Sequence, residues 1–509
     1  MMIGLSEILE LGLPLVLDPS VLLLAVVGTL TGLFVGAMPG LSSVMAMAIL
    51  IPLTYRMSPQ QAFGLLLPAY AAGTFGGAIS AILLNIPGTG AAIMTTYDGY
   101  PMAQRGQAGY AIGLSCVYSF VGGIASAVFL AAFAPIVAHW AIRLGTREYF
   151  AVAVFGLAVI SYLSSSLIKG LLGGALGLLL ATVGMDVFTG VSRFTFGRAE
   201  LAGGLEFVPV MIGVFGLGEI LHTVDAGTRE GAQLPQKIGR MLPELKHVLR
   251  CIPTAIRAIV VGMFIGIIPA SGPTIGAVAS YGLEKRIGKR RDQMGTGVPE
   301  GIVASETANN AGTGAAIVPM ITLGIPGDAV TAVLLGALML HNLRPGPALF
   351  TQRMDVVASI FILFFLGNIL FLVFGLLGAK FFVRVLKTPQ RILLPIVAAL
   401  CFIGAYAARR SVFDVHVLVL FGVFGFLIRK IGITPAPLIL GFILGPIVES
   451  NLRRGLITTG GSVSAFFARP VSALLLTLTL VLLFSPLLIR LAQRLHSALQ
   501  RQPGKGASD

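Results

Sequence analysis

The chain has 509 residues, 56% of them hydrophobic and only 11% charged, with a mean hydropathy of +0.92. Soluble domains carry roughly 25% charged residues, so a soluble globular protein is excluded. The formal net charge of +14 therefore points to Lys- and Arg-rich cytoplasmic loops of a membrane protein, with the lipid bilayer and no nucleic acid as its partner.

The first twenty residues, MMIGLSEILELGLPLVLDPS, lack a basic region before their apolar residues and carry Glu7, Glu10 and Asp18. Residues 1–20 read as an interfacial segment, not a cleavable signal. Apolar runs at 21–53, 358–377 and 471–488 reach or approach the ~20 residues that cross a bilayer. They lack the alternation of barrel strands. The fold class is an all-α polytopic integral membrane protein with about twelve transmembrane segments. Candidate spans fall near 21–55, 61–97, 108–141, 148–163, 167–185 and 205–222, then near 258–283, 300–341, 355–384, 391–407, 412–430, 435–449 and 470–490. The longer ones hold more than one helical piece. Cys116, Cys251 and Cys401 have no metal-ligand spacing and imply no disulfide framework.

Four basic groups set the orientation: 222–257, 284–292, Lys380 to Arg391, and Arg490 to Lys505. All four belong in the cytoplasm. That leaves AIVVGMFIGIIPASGPTIGAVASYGL between two cytoplasmic flanks. A re-entrant hairpin turning at 269–273 resolves the conflict, since arms of about 13 residues rise roughly 20 Å. An ordinary span with one exceptional basic loop is the alternative.

The chain also repeats itself. GLFVGAMPGLSSVMAMAILIPLTY from Gly32 matches GMFIGIIPASGPTIGAVASYGLEK from Gly262 in Gly, Phe, Gly and Pro at the same offsets. AGTFGGAISAILLNIPG (72–88) matches AGTGAAIVPMITLGIPG (311–327), and GGALGLLLATVG (173–184) is loosely echoed by FGVFGFLIRKIG (421–432). The expected division is 1–20 interfacial, 21–222 first repeat, 223–257 basic cytoplasmic linker, 258–455 second repeat, 456–495 C-terminal transmembrane helix and 496–509 basic tail. If the first copy enters from outside, the repeats are inverted, a recurring plan of secondary transporters.

Proline removes a backbone donor and disfavours helix in the residue before it. Ile-Pro-Gly at 86–88 and 325–327 should therefore each end one half-helix and begin another. Within a bilayer such breaks are tolerated only inside protein or beside water. Their free amides and positive dipole ends suit anions, and their carbonyls suit cations. Candidate substrate-binding residues are Pro39, Gly40, Ser42, Ser43, Thr74, Asn85, Pro87, Gly88 and Thr89 in the first copy. In the second they are Ser271, Gly272, Thr274, Thr313, Pro326, Gly327 and Asp328. Thr89 and Asp328 also stand where an N-cap belongs, so capping is the plain alternative for both.

PEGIVASETANNAGTG (299–314) is the most polar stretch in apolar surroundings. Ser305, Glu306, Asn309 and Asn310 are candidate coupling-ion residues, because hard oxygen ligands suit a small cation and a carboxylate can carry a proton. The alternative is a surface loop over 292–310 with Ser305 or Thr307 capping the next helix. In the first copy the aligned residues run from Leu66 to Ala71. Arg344 either meets an anionic cargo or snorkels from a loop.

The paired GAMPGLSS and GIIPASGPT, with GTFGGAISAILLNIPGTGAA and PEGIVASETANNAGTGAAIVPMITLGIPGD, resemble the large membrane subunit of bacterial tripartite tricarboxylate transporters. The resemblance spans nearly the whole chain. It implies a multi-pass protein of the bacterial inner membrane and no enzyme. It further implies secondary import of an organic acid, a di- or tricarboxylate such as citrate, driven by sodium or protons. A periplasmic solute-binding protein and a small membrane subunit would be partners, and no cofactor is implied. Ala270 stands where the first copy has a glycine after its proline. An anion channel is the competing reading. An ATP-driven permease would need a separate nucleotide-binding partner, since no G-x-x-x-x-G-K-[ST] loop is present. A serine hydrolase built on Ser42 lacks a histidine in any apolar core.

Overall fold

The computed structural model describes residues 4–38, 41–164, 166–227, 241–269, 272–385 and 390–500. The tail at 501–509 and linker residues 228–240 lie outside them. The first half runs α1 (Leu5–Val16), α2 (Pro19–Ala37), α3 (Ser43–Leu50), α4 (Pro59–Leu84), α5 (Ile93–Met102), α6 (Ala108–Ala141), α7 (Thr146–Tyr162) and α8 (Leu167–Leu180). A short hairpin of β1 (Gly184–Met185) and β2 (Ser192–Arg193) follows, then α9 (Phe207–Met211) and α10 (Gly218–Asp225), joined by a π-helical turn at Ile212–Leu217. After the linker come α11 (Leu245–Arg250), α12 (Ile252–Gly266), α13 (Gly272–Ile287), α14 (Pro299–Leu323), α15 (Ala329–Leu340) and α16 (Pro347–Gln352). The chain finishes with α17 (Met354–Val385), α18 (Gln390–Arg409), α19 (Val412–Lys430), α20 (Pro435–Thr458) and α21 (Pro470–Gln500). Among the described residues seven helical segments are long and apolar enough to cross a bilayer, with several shorter apolar helices beside them. This is a helical, polytopic membrane protein.

The centre is made by α4 and α14, which are buried along nearly their whole length. Each begins with proline at its first position, where a missing N–H costs nothing. Each ends in a left-handed residue, Asn85 or Gly324, just before its Ile-Pro-Gly. That conformation stops the ladder.

Glycines place a neighbour directly on each. A Cβ built on Gly28, Gly32 or Gly36 of α2 would lie 2.0, 2.3 or 2.4 Å from the carbonyl oxygens of Leu65, Ala69 and Gly73. On α12, Gly262 and Gly266 sit in the same way at 2.3 and 2.7 Å from the carbonyls of Ala308 and Gly312. Contacts rise together in both pairs, so α2 runs parallel to α4 and α12 to α14. No side chain fits between these backbones.

The apolar segment with basic flanks folds as a hairpin. Gly276 of α13 comes back against Gly262 of α12, a built Cβ lying 3.5 Å from its Cα. Nearer the open end, Arg257 donates to Glu284 and Thr254 donates to the same carboxylate at 3.0 Å. Both arms therefore end on one side, as the re-entrant reading requires.

Two long helices tie the halves together. α6 packs along α14, with Gly122 under the Thr307 carbonyl and Gly314 under that of Ser126. α17 packs along α4, with Gly367 against Pro68 and Phe371 stacked on Phe75. α6 and α17 cross in opposite directions, Gly123 meeting Asn368 while Cys116 approaches the carbonyls of Phe371 and Leu372. Outside this core, α20 lies on α8 through Gly174 and Gly441, and α19 on the turn after α9 through Gly213 and Gly422.

Three expected spans divide. Residues 21–55 split into α2 and α3, 61–97 into α4 and α5, and 300–341 into α14 and α15, each at its proline-glycine break. The span at 167–185 stops at Leu180, and strands form where none was expected. There Gly184 adopts a φ of +121°, and Asp186 accepts from the amides of Phe188 and Thr189. Those amides, with Arg453, hold the Asp186 carboxyl well below the ordinary carboxylate range.

Candidate functional site

The breaks meet one another. Gly88 lies against the Gly36 carbonyl and donates to the Gly77 carbonyl at 3.2 Å, which folds the first Ile-Pro-Gly back on its own helix. Gly327 closes on Ala316 in the same fashion. Gly90, just past the first Ile-Pro-Gly, is next to Thr274, a built Cβ lying 3.2 Å from the hydroxyl. Gly272, with φ +53°, packs against Asp328. Tyr70 of α4 completes the ring by donating to Asp328 Oδ2 at 3.0 Å. Pro39, Gly40 and Ser271 lie outside the described residues.

The helix ends at these breaks are not alike. Asp328 accepts from Thr331 N at 2.7 Å in a capping box, so α15 has its own carboxylate at its N-terminus. Ser42 caps α3 through Met45 N at 3.2 Å. Thr89 departs from the capping alternative: it holds the N-cap place of the 3₁₀ turn at Gly90–Ala92, yet makes no capping bond. Its hydroxyl is buried without a hydrogen-bond partner among the described residues, as is that of Ser43. Asn85 is exposed, Pro87 half-buried, and Pro326 and Gly327 are buried. Thr74 and Thr313 instead bond back within their helices, to the carbonyls of Tyr70 and Asn310 at 3.0 and 2.6 Å. Each hydroxyl donates within its own helix and keeps its lone pairs as acceptors.

Residues 299–323 are one helix, so the surface-loop alternative for 292–310 is overturned. Ser305, Glu306, Thr307, Asn309 and Asn310 are all fully buried. Glu306 accepts from the hydroxyls of Thr95 and Ser119, the latter at 3.1 Å. Thr95 also meets Ser305 at 3.0 Å. Asn309 donates to the Ala91 carbonyl at 3.3 Å, and Asn310 donates to Asn309 Oδ1 at 2.6 Å. The Thr307 hydroxyl and Asn310 Oδ1 are buried without hydrogen-bond partners among the described residues. Among the described residues Glu306 enters no ion pair. A buried carboxylate ringed by neutral oxygens calls for a proton or a small cation. Asn309 also joins this cluster to the first Ile-Pro-Gly, three residues before Ala91.

Several partners escaped the sequence reading. Thr95, Ser119 and Tyr70 sit in apolar runs with no local mark, and only packing brings them to Glu306 and Asp328. Asp98, on α5, was also missed. Fully buried, it accepts from Tyr281 at 2.8 Å and from the amides of Gly295, Gly297 and Val298. It fastens α5 to the loop that starts α14. The acidic residue within TTYDGYP was the available signal. Arg344 is exposed on its loop, as snorkelling requires. A cavity of 570 Å³ lies under the β-hairpin, and its lining includes no residue of the four breaks.

The chain matches the Tripartite tricarboxylate transporter TctA family over residues 22–440. It is 36% identical over 481 residues to the "Uncharacterized 52.8 kDa protein in TAR-I ttuC' 3'region" of Agrobacterium vitis, covering 94% of this chain and 95% of that one. It is 35% identical over 227 residues to the "Uncharacterized protein in TAR-II ttuC' 3'region" of the same organism, covering 45% of this chain and 94% of that one. No solved structure matches it. With a family match over most of its length and a relative aligned nearly end to end, the chain belongs to the TctA family, the large membrane component of tripartite tricarboxylate transporters, and it is a transporter component and not an enzyme.

Proposed function

We propose that this chain is the permease subunit of a binding-protein-dependent secondary transporter that imports a di- or tricarboxylate, such as citrate, across the bacterial inner membrane. A sodium or proton gradient drives it. A periplasmic solute-binding protein delivers the acid, and a small membrane subunit accompanies the permease. The observation that carries this reading is the buried Glu306, without an ion-pair partner among the described residues, joined through Asn309 to a set of converging helix breaks.

The cargo carboxylate docks at the 3₁₀ turn leading into α5, where Thr89 makes no capping bond and Gly90 faces Thr274. Unsatisfied amides and the positive end of the dipole favour an anion there. At the start of α15 Asp328 already occupies the equivalent place. The coupling ion sits among Ser305, Glu306, Asn309, Asn310, Thr95 and Ser119. Because Ala91 lies between the two places, an ion at Glu306 orders the segment that receives the cargo. The antiparallel crossing of α6 and α17, with matched glycine contacts on α4 and α14, supports two inverted repeats and about twelve crossings or re-entrant arms.

The test is uptake of labelled citrate and related acids into proteoliposomes that hold all three components, with sodium removed or the pH gradient collapsed. Ion-dependent uptake and counterflow exchange are expected. Uptake that ignores both gradients and shows no counterflow would establish a channel instead.

A further inference from the structure

A second cavity, of 560 Å³, opens between α6, α7, α14 and α21 and reaches the tip of the α12–α13 hairpin at Ile267 and Pro269. Its mouth carries Trp140, Arg143, Glu148 and Arg469, and its wall is apolar, with Val152, Phe155, Val318, Leu323 and Leu475. The Arg143 guanidinium lies over the Trp140 ring, 4.8 Å from its centroid, and Trp140 is 60% exposed. A tryptophan so placed marks the bilayer interface. This is the C-terminal end of α6, far from the basic base of the hairpin. Arg469 pairs with Glu148 at 3.7 Å while remaining 53% exposed. Arg469 thus has a carboxylate partner, while Arg143 rests on Trp140 and enters no ion pair among the described residues, leaving one positive charge beside an apolar slot.

We propose that this cavity binds an anionic phospholipid, its phosphate between Arg143 and Arg469 and one acyl chain along the slot to Ile267 and Pro269. Guanidinium forks match phosphate oxygens. A di- or tricarboxylate finds no polar partners inside, so the slot is not a route for the cargo. The 560 Å³ of the slot falls within the usual range for small ligands. The acyl chain's end touches the hairpin tip beside Gly272, which packs on Asp328, so an occupant supports that contact between the hairpin and the second Ile-Pro-Gly.

The full-length protein, delipidated in detergent, is titrated with phosphatidylglycerol or phosphatidylcholine of the same chains and the retained lipid counted by native mass spectrometry. One phosphatidylglycerol per chain is expected, held about tenfold better than phosphatidylcholine. Retention should fall by about tenfold in R143A/R469A, which removes both guanidinium groups, and as far in V471W, which narrows the slot from an exposed position. Should the arginine double variant fail to fold, V471W decides alone. Inorganic phosphate in excess should leave the lipid bound. Equal retention of both lipids, indifference to the variants, or displacement by free phosphate would each overturn the assignment. So would a cross-link from V471C to the small membrane subunit of the assembled transporter.

Discussion

α4 and α14 share one backbone plan and differ in chemistry. Both begin at proline, receive a glycine-bearing helix on their carbonyls, and end in a left-handed residue before Ile-Pro-Gly. Yet where α14 carries Ser305, Glu306, Asn309 and Asn310, α4 carries Leu66, Leu67, Tyr70 and Ala71. Even the cross-contacts correspond: Tyr70 reaches Asp328 beyond the second Ile-Pro-Gly, and Asn309 reaches Ala91 beyond the first. The difference teaches that the duplicated backbone supplies the breaks, while the polar centre is specific to one copy.

The sharpest way to break that comparison is to give α4 the charge of α14. Leu67→Glu puts a carboxylate at a fully buried position that holds an apolar side chain, so the fold should lose more than about 3 kcal/mol, read as lost yield and a lowered Tm in detergent. Substituting the shared device should be nearly as damaging in either copy. Gly32→Val and Gly262→Val each push a side chain into a backbone carbonyl, and about 3 kcal/mol is expected from both. A large loss in only one would show the two helix pairs to be unequal in packing.

Glu306→Gln tests the chemical half of the contrast. Thr95 and Ser119 can still bond to the amide, so the protein should fold, while ion-dependent uptake falls by about tenfold or more. Normal uptake with unchanged ion dependence would remove Glu306 from the coupling site. Tyr70→Phe has the smallest expected effect. Asp328 keeps its bonds to Thr331, so about 1 kcal/mol of stability should be lost in thermal unfolding, with uptake nearly intact.

Much of this was legible because helix breaking is local. A proline lacks its N–H wherever it stands, so Ile-Pro-Gly at 86–88 and 325–327 and the turn before Gly272 could be placed without a fold. The hairpin of α12 and α13 followed from charge on its two flanks. The role of each hydroxyl was less accessible. Thr74 and Thr313 flank glycines in the same motif and both proved to bond inward. Thr89 and Asp328 stand at matching places, yet only Asp328 caps. The amide three residues on decides it: that of Thr331 donates to the Asp328 carboxylate, whereas that of Ala92 donates to the Thr89 carbonyl.

What the sequence determined by itself was the membrane-embedded helical class and the positions where helices must stop, because hydropathy and backbone chemistry act over a few residues. Tertiary structure decided which broken ends remain open and what surrounds Glu306. Thr95 and Ser119 lie 211 and 187 residues away along the chain, and only the packing of α5 and α6 on α14 brings their hydroxyls to that carboxylate.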